Sequence, residues 1–266
     1  MPDNIITSLQ NQKVKRLVAL QQKASVRRDS GLFVVEGLRE MGHCACAGLV
    51  FDSVFYCPQL IADYPEAEKL MGAVPADRRY EVTPQVYAKI AYREHTEGIM
   101  AVVNERKMSL SKLPLSDSPL VVVLERVEKP GNLGAVLRSA DAAKADAVIV
   151  CDPLTDIYNP NIIRSSIGAV FTVNCVACSS EECIKFLKTN RIQILTAQLQ
   201  DSNLYYDTDM KRPTAIVMGT EDKGLTQVWR EAADAHIRIP MLGRLDSLNV
   251  SVSAAILLFE AVRQRA

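Results

Sequence analysis

Pro119-Leu-Val-Val-Val-Leu124 is a run without one polar side chain. A strand that is apolar at every position fits only where both of its faces are covered, as in the interior of a parallel sheet. Further strands are predicted at Ala147-Val-Ile-Val150, Phe171-Thr-Val-Asn-Cys-Val176, Gln193-Ile-Leu-Thr196, Thr214-Ala-Ile-Val-Met218 and His236-Ile-Arg-Ile239. Helical segments separate most of them, so the expected architecture is α/β, with right-handed crossovers covering both faces of a parallel sheet. A last helix is predicted from about Val250 to Arg263, apolar along Val252, Ala255, Ile256 and Phe259.

The N-terminal part has a different rhythm. Val14, Leu17, Val18 and Leu20 recur at helical spacing between Gln12 and Ala24. A strand is predicted at Gly31 to Glu36, a helix at Gly37 to Gly48, and strands at Ser53 to Cys57, Tyr80 to Val82 and Gly98 to Val103, with a helix after Thr83-Pro84. This is a small α/β unit of its own. The polar stretch from Asn104 to Ser118 lacks periodicity and reads as a linker. The expected domains are therefore residues 1–104, a linker at 105–118, and a larger domain at 119–266.

The chain carries 31 basic and 31 acidic residues, so its net charge neither selects nor excludes a nucleic-acid partner. Distribution is more informative. Lys13, Lys15, Arg16, Lys23, Arg27 and Arg28 face a single acid, Asp3, before residue 29. Such a stripe could neutralise phosphates, and on charge alone it is equally a solvated helix face. Apolar runs such as Leu120 to Leu124 and Ala254 to Phe259 fall short of the ~18 residues that cross a bilayer. No charged-then-apolar leader precedes Asn4-Ile5-Ile6, so a cytoplasmic protein with no membrane partner is expected. Cysteines number seven, and Cys44, Cys46, Cys57, Cys151, Cys175 and Cys183 sit in apolar stretches, which suits buried reduced thiols. Cys175-x-x-Cys178 invites zinc. Its conceivable partners, Cys44 and Cys46 beside His43, lie in the other domain, and a closed site needs four convergent ligands, so no metal is expected.

Three strand ends in the larger domain carry glycines and polar residues, where open α/β sheets gather ligands. The first is Glu128-Lys-Pro-Gly-Asn-Leu-Gly-Ala-Val-Leu-Arg138. Asn132 suits an N-cap for a helix starting near Leu133, with Arg138 about a turn and a half further on. The second, Met218-Gly-Thr-Glu-Asp-Lys-Gly224 before Leu225-Thr226, nearly matches a phosphate-binding loop. Leu225 stands where the phosphate lysine belongs, which argues against a nucleotide hydrolase. The third runs from Ile239-Pro-Met through Gly243 to Ser247-Leu-Asn249. Ser247 or Asn249 can cap the last helix, and the apolar rim suits a pocket that holds an adenine ring. Taken singly, each segment is equally a capped helix or a turn.

In their order and spacing the three segments resemble the motifs of the SpoU, or TrmH-like, RNA ribose methyltransferases of the SPOUT superfamily. Residues 11–103 resemble that family's L30e-like substrate-binding domain. The resemblance covers nearly the whole chain. It implies a six-stranded parallel α/β domain whose C-terminal part threads a trefoil knot, with S-adenosylmethionine held in the knot loops and no metal. It further implies a homodimer with the active site at the interface, the last helix around Ile256 to Phe259 packing there, and an RNA substrate, ribosomal ahead of transfer RNA. By position, Gly219, Ile239 and Leu248 match cofactor-contacting backbone, with Thr196, Ala197, Met241 and Asn249 nearby. Asn132, Arg138, Glu221, Ser247 and Asn249 match the polar catalytic group, and Arg138 would serve the cofactor of the opposite subunit. Lys13, Lys15, Arg16, Arg27 and Arg28 are the candidate RNA contacts. The sequence departs from the pattern at Lys129, where an acid is common, and at Lys144 and Asp222, where glycine is usual. Two other functions are compatible with this fold: an RNA-binding relative without catalysis, and a base methyltransferase.

Overall fold

The computed structural model describes residues 4–92, 96–220 and 222–266. The strands are β1 (Ile5–Ile6), β2 (Leu32–Glu36), β3 (Phe51–Tyr56), β4 (Arg79–Val82), β5 (Ile99–Asn104), β6 (Leu120–Glu125), β7 (Ala147–Cys151), β8 (Cys175–Cys178), β9 (Gln193–Ala197), β10 (Asn203–Leu204), β11 (Thr214–Met218) and β12 (Ala235–Arg238). The helices are α1 (Gln12–Gln22), α2 (Ala24–Ser30), α3 (Leu38–Cys46), α4 (Pro58–Ile61), α5 (Glu66–Gly72), α6 (Pro84–Ile90), α7 (Pro130–Ala142), α8 (Pro160–Ser165), α9 (Ala169–Thr172), α10 (Ser180–Thr189), α11 (Gln227–Ala232) and α12 (Val250–Arg265). They form two compact units, Met1–Lys107 with Tyr158–Gly168, and Met108–Ile157 with Ala169–Ala266. No described helix is long and apolar enough to cross a membrane.

The first unit is built on a mixed sheet of order β1-β4-β3-β5-β2. Asn11 caps α1 by accepting from the Lys13 amide, and Val14, Leu17 and Leu20 turn into the core with Val86, Tyr87 and Ile90 of α6. That orientation leaves Lys13, Lys15, Arg16 and Arg28 exposed, with the Lys13 ammonium 4.9 Å from the Tyr80 ring centre. Arg27 departs from the expected basic stripe. It is only 5 % exposed and donates to the carbonyls of Leu20 and Gln21, so it satisfies the C-terminal end of α1 and is not presented to a phosphate. Residues 158–168, expected within the larger domain, pack here instead. Tyr158 stacks on Phe33 at 4.2 Å. Gly168, at φ +83°, lies so near α3 that a Cβ would stand 3.0 Å from the His43 ring.

The second unit holds a seven-stranded sheet of order β10-β12-β9-β11-β6-β7-β8, parallel at every described pairing. The added strand over the expected six is β10, two residues at the edge. Val121 to Leu124 are fully buried, as the unbroken apolar run requires. The segment predicted as a strand from Phe171 turns through α9 first and extends only from Cys175; Thr172 is tied to Asp141 of α7 at 2.6 Å. The stretch read as a linker is anchored too, for Leu110, Leu113 and Leu115 pack against this unit's core. Trp229, fully buried, donates to Ser180, whose hydroxyl donates to Asp152 at 2.6 Å. Cys178 meets not Cys44 and Cys46 but Cys151, its register partner, and Cys183, the three sulfurs lying within 4.8 Å of one another. Hydrogen bonds with Cys178 and Cys183, and then burial, push the Cys151 thiol up; the Cys183 thiol, lowered by Cys151, is raised on balance by its bond with Cys178 and by burial; and hydrogen bonds from Cys151 and Cys183 hold Cys178 well below the ordinary thiol range.

Candidate active site

Because the strands are parallel and in register, their carboxyl ends line up: Leu124 lies beside Met218, and Glu125 beside Cys151. The chain leaves β6 abruptly at that edge, with Arg126 in the left-handed region at φ 53°. Glu125 is 2 % exposed. Its carboxylate accepts from the Thr226 amide at 2.9 Å and from the Thr226 hydroxyl at 2.6 Å, pinning the start of α11 to the end of β6.

Between these anchors the chain makes a tight turn. Thr220 and Gly224 exchange backbone hydrogen bonds at 3.2 and 3.1 Å, the Thr220 hydroxyl accepts from the Lys223 amide, and Gly224 takes φ +63°. Gly219 enters this turn so close to its exit that a Cβ would stand 2.2 Å from the Gly224 carbonyl. Only glycine permits that approach. Glu221, expected among the catalytic residues, lies outside the described residues. Its neighbours Thr220 and Asp222 form a wall shared by two cavities.

The first cavity, of about 290 Å³, runs from Arg126 through Lys129 and Asn132 to Val250. Asn132 lies in the first turn of α7, which starts three residues earlier than predicted because Pro130 takes the first helical position and Lys129 the N-cap. Asn249 is the N-cap of α12, accepting from the Ser251 amide at 2.9 Å, and its side-chain amide donates to Asn132 at 3.1 Å. Two of the expected catalytic residues, 117 positions apart, are thus joined. The second cavity, of about 350 Å³, is lined by Ala197, Ile239, Met241, Ser247 and Leu248, all expected from sequence. Also on its wall are Gln198 and Arg230, which sequence reasoning passed over. Each brings a buried polar atom, Gln198 Oε1 and Arg230 Nε, that finds no hydrogen-bond partner among the described residues.

Three expected residues line neither cavity, of which Asn249 reaches the first through its bond to Asn132. Thr196 is fully buried, and its hydroxyl shares a 2.6 Å hydrogen bond with His236 Nδ1, so it fastens β9 to β12 rather than facing a ligand. Arg138 is exposed and lines neither cavity. At about 100° per residue, the six positions from Asn132 carry it roughly 240° round α7, onto another face. Glu125 and Arg126 were also missed, although an acid closing an otherwise apolar run was a usable signal.

Residues 119–259 match the SpoU rRNA Methylase family, and residues 11–101 match the MRM3-like substrate binding domain. A 23S rRNA (uridine(2479)-2′-O)-methyltransferase of Streptomyces viridochromogenes is 30 % identical over 98 % of this chain and 92 % of its own length. The 23S rRNA (guanosine-2′-O-)-methyltransferase RlmB of Shewanella oneidensis is 33 % identical over 75 % of this chain and 86 % of its own. Among solved structures, the AdoMet-bound rRNA methyltransferase from Sinorhizobium meliloti superposes with a TM-score of 0.89 at 30 % identity, covering 97 % of each chain. With a parallel α/β unit, glycine-dependent turn and joined asparagines where the motifs place them, this chain belongs to the SpoU rRNA methylase family.

Proposed function

We propose that this chain is an S-adenosylmethionine-dependent methyltransferase acting on a ribose 2′-hydroxyl of RNA, ribosomal ahead of transfer RNA, in the cytoplasm. The observation that carries the reading is the pair of cavities on either side of one turn, with Asn132, which is hydrogen-bonded to Asn249, on the wall of one and an apolar Ile239, Met241 and Leu248 surface in the other. That apolar surface suits the cofactor's adenosine, and the volume falls in the range of small-molecule sites, about 300–1,000 Å³. The loops that bear these residues are the segment we read as knotted. Relatives acting on uridine and on guanosine leave the target base open and favour the ribose as the common reacting group.

When bound, the cofactor's sulfonium supplies both the methyl group and the leaving group. The task of the chain is to orient the hydroxyl in line and to manage its proton. Asn132 and Asn249 hold the ribose edge, and Ser247, exposed at the rim of the second cavity, reaches the substrate. Arg138 acts as a clamp on phosphate and 2′-oxygen, since a guanidinium offers five donors and no acceptor. The proton passes to a substrate phosphate or to Glu221. Because Arg138 faces away from its own cavities, it serves the opposite subunit of a homodimer. Val252 and Phe259, exposed on one face of α12 with Ile256 between them, support that helix as the interface. Residues 1–104 handle the RNA, with Lys13, Lys15, Arg16 and Arg28 as its phosphate contacts.

Transfer of radiolabelled methyl from S-adenosylmethionine to unmodified ribosomal and transfer RNA transcripts, followed by alkaline hydrolysis, tests the reading. Label in alkali-resistant dinucleotides is expected, on ribosomal RNA. Label on mononucleotides would place the chemistry on a base, and cofactor binding without transfer to any RNA would favour a non-catalytic RNA-binding role. Arg138→Ala is expected to abolish transfer while cofactor affinity persists; loss of both would refute the clamp.

A further inference from the structure

Buried polar atoms without partners are rare in folded proteins, and two of the four such side-chain atoms among the described residues belong to residues that line one cavity. Their senses are opposite. Gln198 donates from Nε2 to the Gln200 carbonyl at 2.9 Å. That bond fixes the amide, because turning it over would set two oxygens against each other, so Oε1 is left as a buried acceptor. Arg230 Nε is a buried donor, and only a donor. The other arginine on the same wall, Arg238, is already engaged with Ser202. Asp222, Asp246 and Lys223 also line this cavity. Its walls thus offer an unpaired guanidinium nitrogen for an anion and, for a cation, an unpaired amide oxygen, with carboxylates on the same wall.

A ligand that satisfies both atoms carries an acceptor, best an anionic one, and a donor, best a cationic one. The α-carboxylate and α-ammonium of an amino acid meet that description, and a guanidinium is matched in shape to a carboxylate. We infer that Arg230 and Gln198 form a subsite for the zwitterionic amino-acid end of the cofactor, Arg230 taking the carboxylate and Gln198 the ammonium. The inference rests on the second cavity being the cofactor site. It adds to that reading the two residues that distinguish a ligand bearing an amino-acid end from a plain adenine thioether.

Calorimetric titration of the full chain with S-adenosylhomocysteine and with 5′-methylthioadenosine, which lacks the amino-acid end, separates the possibilities. The unaltered protein is expected to bind S-adenosylhomocysteine about tenfold or more tightly than 5′-methylthioadenosine. Arg230→Leu should remove most of that preference and leave 5′-methylthioadenosine affinity within about twofold, while Gln198→Leu loses about fivefold for S-adenosylhomocysteine alone. Arg230→Lys, which keeps the charge but not the fork, should fall between. Equal losses for both ligands in variants whose circular dichroism is unchanged would overturn the subsite, as would no loss for either. Should Arg230→Leu fail to fold, Arg230→Lys and Gln198→Leu decide the matter by the same comparison. Unaltered protein that binds both ligands equally defeats the subsite while leaving the cofactor cavity in place; protein that binds neither defeats the cavity assignment and the subsite with it.

Discussion

Replacing Gly219 by alanine adds one methyl at the point where the chain enters and leaves the turn between the two cavities. The new carbon would stand 2.2 Å from the carbonyl carbon and oxygen of Gly224 and 2.5 Å from the Leu225 nitrogen, against the 3.4 Å at which ordinary contact begins. All three neighbours are backbone, so no side chain can swing aside, and the turn must open by about 1 Å to restore normal contact. Opening it strains the two Thr220–Gly224 hydrogen bonds, each contributing about 0.5–1.5 kcal/mol. The expected loss is therefore about 1–3 kcal/mol, in line with overpacking elsewhere. Urea unfolding should show it as a lower midpoint at unchanged slope, and titration with S-adenosylhomocysteine should show weaker binding, since the displaced loop walls that cavity. Gly131→Ala is the control. Nothing lies within 4 Å of a Cβ there, and the position is helical, so stability should hold or rise. A Gly219→Ala protein within 0.5 kcal/mol of the original, with undiminished binding, would refute the close-approach argument.

Lys144 sits at φ 52° just past the end of α7, where Ala145 closes back onto the Ala140 carbonyl. Lys144→Gly should raise stability by about 1 kcal/mol in denaturant titration, and a fall would show that the lysine side chain matters more than its backbone. Asn249→Ala removes the α12 cap and the bond to Asn132, so a loss of about 1 kcal/mol in thermal unfolding is expected together with loss of methyl transfer. Arg263, hydrogen-bonded to Glu260 at 2.7 and 2.8 Å, holds the Glu260 carboxyl below its usual range. Because the folded pKa is depressed, this contribution is present above the unfolded pKa of about 4.3 and is lost as pH falls through the folded value. For a pair so open on the arginine side, Glu260→Gln should cost about 0.5 kcal/mol at pH 7 and nothing in strong acid; a penalty that persists there would mean the pair acts through packing.

What could be read from the sequence was local. The Leu120–Leu124 run admits one environment, and β6 occupies it. Asn249 was legible because helix capping leaves its mark within a few residues, whereas Gly219 was reached through the family resemblance, its close approach to Gly224 being visible only in the fold. Phe171-Thr-Val was misread because a short apolar run has no period that separates strand from helix, and α9 is settled by contact with α7. Arg27 looked like surface charge because its spacing says nothing of a side chain folded back on carbonyls of its own segment. The Glu125–Thr226 pair spans 101 positions, and the roles of Gln198 and Arg230 depend on a shared wall, so neither could be found without the fold.

The hydrogen bond between Asn132 and Asn249 also sets an order in time. Synthesis reaches Asn132 first, and at roughly 5–20 residues per second the 117 positions to Asn249 take roughly 6–23 s. During that interval α7 has been made but lacks α12, its principal packing partner, and the first cavity lacks one side. The Asn132–Asn249 pair therefore comes together only after most of the domain has left the tunnel. A nascent chain still attached to its own ribosome holds the unit that matches a substrate binding domain well before it holds the joined asparagines, so on the proposed function docking on RNA precedes the capacity to modify it.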